Sequence, residues 1–432
     1  MTFIIAMQNV ITYGVNLADN IMIGAYSQTA MSGIALVNQI QFLLQMIILG
    51  CSEGIVVVAS RFGGQEDISG VKRAASVGMR IALIAGMVLW FAMFFFPAQV
   101  LGLLTPETHV IAEGVKYAQI VCFTYPLFAV TNVLIATLRS AQDVKIGFYV
   151  SLSALFTNVI LNYLLIYGIW IFPEMGGRGA AVATVISRIA ELAVVLLYLA
   201  FREAKLRLRF RDYLKFDGET FKIYIKVSLP LIMAQGLWGV AQAVQTGILG
   251  RLGESAIAAN SIAATVFQII SVVIYGAASA TSVIIGKTLG AGNTGVIKEY
   301  TRTLQFIYIG LGLLTGSALF LFKDIVIGLY NITPETYALA VSFMAVNSVT
   351  VIGTAYQMAC FTGIIRGGGD TKITLINDAL HMWLIAIPSA LLAAFVWQLS
   401  PVIVFMCLKS DQILKCSVAA FWTNSYRWIK KL

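Results

Sequence analysis

Long apolar stretches, separated by short polar segments, cover almost all of this 432-residue chain. A helix needs about 20 mostly apolar residues to cross the hydrocarbon core of a bilayer. By that criterion the sequence predicts twelve spans, at 3–25, 33–60, 76–104, 110–138, 146–170, 178–202, 222–250, 256–286, 300–322, 335–365, 373–397 and 400–422. We therefore expect an all-α, multi-pass protein of the cell inner (plasma) membrane.

Composition supports a membrane protein, because 59% of the residues are hydrophobic and only 11% are charged. Soluble domains usually carry about 25% charged residues. The net charge is +9, but the basic residues stand in short loops, which indicates membrane orientation and not nucleic-acid binding. The five cysteines are scattered without a CxxC or Cys/His spacing, so we expect neither a zinc site nor a disulfide framework.

The loop charges predict the orientation of the spans. If the N-terminus is placed in the cytoplasm, the inner loops and the C-terminal tail carry 21 Lys and Arg residues. The outer loops then carry only Arg178, Arg251 and Lys323. Because basic residues are enriched in cytoplasmic loops of membrane proteins, we expect both termini to be cytoplasmic.

An internal repeat relates the two halves of the chain. Asp19-Asn-Ile-Met-Ile-Gly24 in the first span corresponds to Gln245-Thr-Gly-Ile-Leu-Gly250 in the seventh, at an offset of 226. Thr105-Pro-Glu-Thr108 and Thr333-Pro-Glu-Thr336 open the fourth and tenth spans, where Thr suits the N-cap and Pro the first helical turn. The repeat therefore contains six spans.

The repeat predicts an N-terminal six-helix bundle at 1–203, a basic cytoplasmic linker at 204–221 and a C-terminal six-helix bundle at 222–432. Because six is even, the two bundles share one orientation in the membrane. Parallel repeats of this kind occur in transporters that rock one half against the other. We expect twelve transmembrane helices in two pseudo-symmetric bundles.

These segments resemble the multidrug and toxic compound extrusion (MATE) family, within the multidrug/oligosaccharidyl-lipid/polysaccharide flippase superfamily. The resemblance is carried by Asp19-Asn-Ile-Met-Ile-Gly24, Arg366-Gly-Gly-Gly-Asp-Thr371, its echo Arg139-Ser-Ala-Gln-Asp143, and Asn158-Val-Ile-Leu-Asn162. It implies two bundles around a central cavity and rocker-type export of amphipathic, often cationic, compounds. Inward flow of protons or sodium would drive that export.

The sequence departs from the family pattern at three positions. The family's fifth helix often carries Asp where this chain has Asn162, and one branch has acids near the positions of Trp238 and Thr354. We therefore do not expect a coupling carboxylate of that branch in the C-terminal half.

Four polar residues are the candidates for binding the coupling cation. Asp19 lies in the first span, Asn158 and Asn162 share one face of the fifth, and Thr184 lies in the sixth. At 1.5 Å per residue, Asp19, Asn162 and Thr184 fall roughly 9–12 Å below the outer surface. One carboxylate with amide and hydroxyl oxygens suits either sodium, bound by all four residues, or a proton on Asp19.

The asparagines have a structural alternative, because Asn side chains also join membrane helices by hydrogen bonds. The repeat bears on this choice. Asp19 corresponds to Gln245, and the two asparagines correspond to Ile385 and Ser389 if the offset of 227 between Arg139 and Arg366 persists. The C-terminal half therefore lacks this set, and we expect an ion site in the N-terminal half only, while both roles of the asparagines stay open.

Other polar residues in the spans are candidates for a substrate cavity or a proton relay. Asp378 and His381 stand three apart and could relay protons, since His titrates near neutrality, although a structural hydrogen bond is the alternative. The candidates for the cavity or relay are Gln39, Glu53, Gln268, Tyr275, Tyr356, Gln357, Asp378 and His381.

Two pairs of opposite charge are spaced to interact along their own helices. Arg188 and Glu191 stand three apart, and Asp411 and Lys415 four apart. Side chains at these spacings are neighbours on a helix surface, so we expect structural ion pairs.

The function that fits best is a secondary active antiporter that exports organic compounds in exchange for protons or sodium. A flippase for lipid-linked oligosaccharide or another lipid-like substrate is the alternative. An enzyme would need a convergent Ser/His or metal cluster, and the only histidines are His109 and His381, so we expect no catalysis. We expect a monomer with a small organic substrate and no cofactor besides the coupling ion.

Overall fold

The computed structural model describes residues 7–8, 11, 22–23, 28–104, 108–203, 205–214, 217–328 and 332–430. These residues form helices joined by short turns, without a strand among them. Asp19 and most of the first predicted span lie outside the described residues, as does most of the tetrapeptide Thr105–Thr108.

The helices run through the chain in the predicted order. Up to the linker they are α1 (Gln28–Gly64), α2 (Ile68–Phe95), α3 (Pro97–Gly102), α4 (Thr108–Val121), α5 (Thr124–Ser140), α6 (Lys145–Tyr167), α7 (Gly177–Phe201) and α8 (Phe210–Leu214). After it they are α9 (Gly218–Gly250), α10 (Glu254–Gly290), α11 (Thr294–Ile327), α12 (Pro334–Gln357), α13 (Thr371–Ala379), α14 (Pro401–Lys409) and α15 (Asp411–Ser425).

Nine helices in the described part are long and apolar enough to cross a bilayer. The pair α4 and α5, bent by 49° at their junction, makes a tenth. The bend comes just before Pro126, which lacks an amide hydrogen and whose ring would clash with the carbonyl of Cys122 in a continuous helix. The twelfth predicted span is divided into α14 and α15.

The tenth and eleventh predicted spans contain wide π-helical turns. The helix α12 continues as a π-helix through Met358–Ile365, and α13 continues through π-helical stretches at Leu380–Ala386 and Leu392–Val396. Pro388 lies between the last two. Its ring would clash with the carbonyl of Leu384 in a regular α-helix, and a wider turn relieves that clash.

The chain divides into two compact units. The N-terminal unit comprises Met7–Gly63 and Asp67–Ile232, and the C-terminal unit contains Gly64–Glu66 and Met233–Leu432. The division therefore falls inside α9. The domain boundaries drawn from the sequence repeat stay a prediction.

Close backbone packing attaches the first half of α9 to the N-terminal unit. A Cβ atom at Gly50 would lie 2.6 Å from the Cα of Ile232, and one at Gly54 would lie 2.5 Å from the Cβ of Ser228. The Tyr224 hydroxyl donates to the Cys51 carbonyl at 2.7 Å. Glycines four residues apart let two membrane helices approach this closely.

The basic linker is fastened to the beginning of α2. Lys72 pairs with Asp212 on α8 at 2.9 Å, and Arg73 pairs with both Asp67 and Asp217. A hydrogen bond from the Ser69 hydroxyl lowers the pKa of Asp67, and one from Thr220 lowers the pKa of Asp217. These carboxylates stay ionised at neutral pH, so the linker is held to the N-terminal unit.

The core of the C-terminal unit is centred on aromatic stacking and on small residues. The rings of Phe343 on α12 and Phe405 on α14 stack with centroids 4.1 Å apart. A Cβ atom at Gly316 on α11 would lie 2.5 Å from the carbonyl oxygen of Ser348. Gly316 thus permits the close contact of α11 and α12.

Candidate functional site

The two helices that carry three of the four predicted coupling residues form an antiparallel hairpin. The helix α6 ends at Tyr167 and is capped by Gly168, whose φ of 64° favours glycine, and α7 begins at Gly177. A Cβ atom at Gly179 would lie 2.5 Å from the carbonyl oxygen of Leu165. This contact fixes the register of the hairpin.

The register sets the relative depth of the candidate residues. Because the helices run in opposite directions, each residue after Gly179 on α7 lies level with one residue before Leu165 on α6. Thr184 is five positions after Gly179 and therefore lies level with position 160, between Asn158 and Asn162. The Thr184 backbone therefore lies within about 3 Å of both asparagines along the helix axis, and the asparagines lie about one turn apart.

The two asparagines lie in the interior of the N-terminal unit. Asn158 is 1% exposed and Asn162 is fully buried, and Asn162 Nδ2 donates to Asn158 Oδ1 at 3.1 Å. Asn158 Nδ2 has no hydrogen-bond partner among the described residues. A buried polar atom without a partner costs about 1–3 kcal/mol, so this N–H group has the capacity to donate to a further acceptor oxygen.

Thr184 bonds within its own helix. Its hydroxyl donates to the Ala180 carbonyl at 2.8 Å, and the residue is only 8% exposed. A hydroxyl oxygen that donates one hydrogen bond can still accept others or bind a cation. The described part of this site therefore offers neutral oxygen and amide groups.

Asp19, the charged member of the predicted set, lies outside the described residues. Described residues before and after it in sequence contact opposite ends of α6. The side chain of Gln8 packs against Gly147, and the Tyr167 hydroxyl donates to the Met22 carbonyl at 3.0 Å.

Two further acidic groups of the N-terminal unit are engaged with a cation or a hydroxyl. Glu53 on α1 lies within electrostatic range of the Arg139 guanidinium at the end of α5. The Tyr198 hydroxyl donates to the carboxylate of Asp143. The predicted cavity or pathway role of Glu53 stays a prediction, and its contact indicates that it also balances a basic charge.

The local ion pair of α7 is confirmed. Arg188 Nη1 lies 2.8 Å from Glu191 Oε2, and the guanidinium also stands over the Phe128 ring at 5.1 Å from its centroid. The pair is structural, because a charge-assisted contact and an aromatic ring together hold Arg188 in place.

The second predicted ion pair is confirmed and belongs to a larger cluster in the C-terminal unit. Lys415 lies 2.9 Å from Asp411 on its own helix, α15, and its side chain is 3% exposed. It also lies 3.0 Å from Asp378 of α13. One lysine therefore faces two carboxylates from different helices.

Amide and hydroxyl groups extend this cluster to α12. Gln412 donates to Asp411 at 2.8 Å, and its side-chain oxygen accepts from Gln357 at 2.6 Å and from Thr354 at 3.0 Å. Of the predicted cavity residues, Gln357 thus serves to connect α12 and α15.

Asp378 and His381 have separate partners. Asp378 pairs with Lys415, whereas His381 Nδ1 lies 2.9 Å from the backbone carbonyl of Asn377. No direct bond joins the two side chains in the described part of the chain. The relay therefore stays a prediction that would need a further group between them.

The remaining predicted cavity residues differ in burial. Gln39, Gln268 and Tyr275 are exposed. Tyr356 is half-buried and donates to Gln305 Oε1 on α11 at 2.7 Å. Tyr356 is therefore hydrogen-bonded to Gln305, whereas its neighbour Gln357 is hydrogen-bonded to Gln412.

Sequence reasoning did not single out three polar residues that the structure places at these clusters. Gln412 joins three side chains, Gln305 accepts from Tyr356, and Asn377 is buried with both side-chain polar atoms unpaired among the described residues. Each is a polar residue inside or beside an apolar run, which was the available signal. The partner of each depends on helix neighbours that the sequence does not state.

A protein-family model, MatE, matches residues 5–164 and 230–392. This chain belongs to the MatE family. The family resemblance seen in the sequence is thereby confirmed, and the protein is a multi-pass membrane transporter. The match covers most of α6, with both asparagines, and most of the eleventh predicted span, with Asp378.

Curated relatives match along most of the chain. One is "Probable multidrug resistance protein NorM" of Thermotoga maritima, which is 24% identical over 98% of this chain and 91% of that protein. A protein of the same name from Rhizobium meliloti is 28% identical over 85% of this chain and 80% of its own length. "Multidrug resistance protein PmpM" of Pseudomonas aeruginosa is 24% identical over 87% of this chain and 79% of its own length.

Solved structures show the fold. "Crystal structure of MATE in the straight conformation" aligns with a TM-score of 0.88 and 18% identity over 98% of this chain and 94% of that one. "Outward-facing conformation of a multidrug resistance MATE family transporter of the MOP superfamily" aligns with a TM-score of 0.89 and 18% identity over the same shares, 98% and 94%. The predicted fold class, an all-α membrane protein with the twelve-helix MATE architecture, is confirmed.

Proposed function

We propose that this MatE-family protein is a secondary active antiporter. It exports amphipathic, often cationic, organic compounds in exchange for inward-moving protons or sodium. Three relatives carry names that assign them to multidrug resistance, which supports this substrate class. The observation that carries the coupling proposal is that Asn158, Asn162 and Thr184 are buried within about one helical turn of one another in the α6–α7 hairpin.

The coupling ion would bind Asp19 together with these three residues. The two amides and the hydroxyl are neutral, so the carboxylate supplies the only charge of the set. A monovalent cation cancels that charge, whereas a divalent ion would leave an uncompensated positive charge in a low-dielectric environment. Sodium would use the oxygens as ligands, and a proton would reside on the carboxylate.

Alternating access would follow from movement of the two bundles. Parallel repeats provide two similar rigid bodies. An ion can shift the equilibrium between inward-open and outward-open states only if it binds them with different affinity. The ion site lies within one bundle. Its affinity would differ between the two states if the packing around α6 and α7 changes as the protein opens to one side or the other.

The proposal is tested by transport in proteoliposomes containing the purified full-length protein. Export of ethidium would be measured while the pH and sodium gradients are imposed separately. We expect one gradient to drive export in the wild type. Asp19→Asn should abolish gradient-driven export without reducing expression, because the neutral amide cannot exchange a proton or balance sodium.

Asp324→Asn is the matched control, because Asp324 is exposed and pairs with Lys323 at the end of α11. We expect it to export like the wild type. Wild-type export rates in Asp19→Asn would remove Asp19 from the coupling site. Transport of a lipid-linked oligosaccharide in place of ethidium would favour the flippase alternative.

A further inference from the structure

A large open cavity lies on the C-terminal unit, away from the residues assigned to ion coupling. It has a volume of about 630 Å³. Its walls come from α11, from Tyr356 at the end of α12, and from Asn424 and Tyr426 at the end of α15. The α11 wall consists of Lys298, Glu299, Arg302, Gln305, Phe306 and Ile309.

The α11 wall changes from basic to apolar along the helix. Lys298, Arg302, Phe306 and Ile309 follow one another at spacings of four, four and three residues, so they share one helix face. The two cations occupy the beginning of the helix and the two apolar side chains follow. A ligand lying along this face would meet positive charge at one end and apolar surface at the other.

The length of α11 places the cations at the membrane surface. The helix has 34 residues, which gives about 51 Å, against about 30 Å for the hydrocarbon core. Positions 303–322 carry no charge and span about 30 Å. Arg302 therefore lies at the edge of the hydrocarbon, at the level of lipid headgroups, and Lys298 lies one turn further out.

Both cations are available to an anion. Lys298 Nζ stands 5.7 Å from the centroid of the Tyr426 ring, and the Arg302 guanidinium carbon stands 5.9 Å from that of Phe306. Neither forms a salt bridge with a carboxylate among the described residues. Glu299 is the one acid in the wall, so the two cations leave a net positive charge.

The floor of the cavity is polar and held in place. Tyr356 donates to Gln305 Oε1 at 2.7 Å, and Gln305 Nε2 donates to Asn424 Oδ1 at 3.2 Å. Gln305 also donates to the Thr301 carbonyl at 3.2 Å. These bonds join α11, α12 and α15 beneath the cations. The cavity is therefore a preformed feature of the unit.

We propose that this cavity binds the headgroup of an anionic glycerophospholipid. The phosphate lies between Lys298 and Arg302, the glycerol region lies over the Gln305 and Asn424 amides, and an acyl chain follows Phe306 and Ile309 into the hydrocarbon. Basic pockets between membrane helices at the cytoplasmic surface recognise such headgroups. By the loop charges, this end of α11 is the predicted cytoplasmic end. The proposal is independent of the substrate and coupling ion of transport.

The test is titration of the detergent-purified full-length protein with phosphatidylglycerol, with bound lipids counted by native mass spectrometry. We expect the wild type to retain one tightly bound lipid and Lys298→Gln/Arg302→Gln to bind it about 30-fold more weakly. Each basic residue near an anionic surface contributes about 1 kcal/mol, and about 1.4 kcal/mol is tenfold.

Lys222→Gln/Lys226→Gln is the matched control, because these exposed lysines stand four apart in the first turns of α9, on the same predicted side. We expect this variant to bind the lipid as the wild type does. Equal losses in the two double variants, or no loss in the first, would overturn the proposal. If Lys298→Gln/Arg302→Gln does not fold, Phe306→Gln removes part of the apolar wall and should weaken lipid binding.

Two ligand arms distinguish the parts of the lipid. Phosphatidylcholine should bind more weakly than phosphatidylglycerol, since its headgroup carries no net charge, and equal binding would refute recognition of an anionic headgroup. Inorganic phosphate at the same concentration should not displace the lipid, because it lacks the acyl chain. Displacement would show a site for free phosphate in place of a lipid site.

Discussion

At the residue scale, the candidate ion-binding groups of the N-terminal unit differ in charge from the Lys415 cluster of the C-terminal unit. In the α6–α7 hairpin the candidate groups Asn158, Asn162 and Thr184 are neutral. In the C-terminal unit, Lys415 stands between two carboxylates. The neutral groups of the hairpin can bind a cation without breaking an existing ion pair. In the C-terminal cluster, the carboxylates are already paired with Lys415.

The role of Asn158 can be separated from structural hydrogen bonding. We expect Asn158→Leu to lower the free energy of unfolding by about 1–3 kcal/mol, because Asn162 Nδ2 loses its buried acceptor, Asn158 Oδ1. Gradient-driven export should fall at least about tenfold (roughly 1.4 kcal/mol) through loss of an ion ligand. Thermal unfolding and proteoliposome export measure the two effects.

Thr137→Val is the control, because Thr137 is buried and donates only to the Val133 carbonyl of its own helix. It should export normally. If Asn158→Leu keeps wild-type export, the asparagine serves hydrogen bonding within α6 and does not bind the ion.

The Lys415 cluster should behave as a buried ion pair. Lys415→Met would leave Asp411, whose side chain is 1% exposed, without its cation and should cost about 3–5 kcal/mol of unfolding free energy. The double change Lys415→Met/Asp411→Asn should recover most of that loss. Denaturant unfolding followed by tryptophan fluorescence measures both.

Lys323→Met is the comparison for this cluster, since Lys323 pairs with the exposed Asp324. A pair with an exposed partner contributes at most about 1 kcal/mol, so this variant should unfold nearly as the wild type does. An equal loss in Lys323→Met and Lys415→Met would contradict the assignment of Lys415 to a buried pair.

At the scale of helices, glycines decide which surfaces meet. Gly50 and Gly54 bring α1 onto the first half of α9, and Gly179 brings α7 onto α6. Small residues at such contacts allow van der Waals packing between backbones, which stabilises helix pairs in membranes. The register of the candidate ion site therefore depends on Gly179.

Gly179→Ala should destabilise the protein by about 1–3 kcal/mol through overpacking, because its Cβ would lie 2.5 Å from the Leu165 carbonyl oxygen. Gly247→Ala is the control, since a Cβ there meets no atom within 4 Å. That variant should be as stable as the wild type or slightly more so, because Ala favours helix. Thermal unfolding in detergent measures both, and equal behaviour of the two would contradict the close contact.

At the scale of the whole molecule, the halves share helix order but not chemistry. The sequence repeat predicts Ile385 and Ser389 as the counterparts of Asn158 and Asn162, and Ser389 donates only to the Ala386 carbonyl in the described structure. The C-terminal unit has its own polar centre at Lys415 and the anionic-lipid cavity on α11. Divergence has thus given each unit a separate polar site.

The distribution of loop charge predicts the orientation of the whole chain. We expect both termini to face the cytoplasm, because basic residues are retained on that side during insertion. Green fluorescent protein fused to either terminus should fluoresce, and alkaline phosphatase at either terminus should be inactive. An active phosphatase at one terminus only would mean an odd number of spans.

Much of the fold could be predicted because its signals are local. The second to eleventh spans appear in order, since a bilayer imposes a minimum apolar length on each helix. The pairs Arg188–Glu191 and Asp411–Lys415 were also predictable, because three- and four-residue spacing places side chains on one helix face. These inferences need no knowledge of which helices are neighbours.

The sequence alone therefore determined the helices, their order, the family and the local ion pairs. Only the tertiary structure decided that Lys415 also binds Asp378, that Gln412 accepts from Gln357, and that the compact units divide within α9. Such contacts depend on the rotation of each helix about its axis and on the close approach allowed by particular glycines. The apolar pattern of a membrane helix gives little information about its rotation or its neighbours. The reason is that the side facing lipid and the side facing protein are both largely hydrophobic.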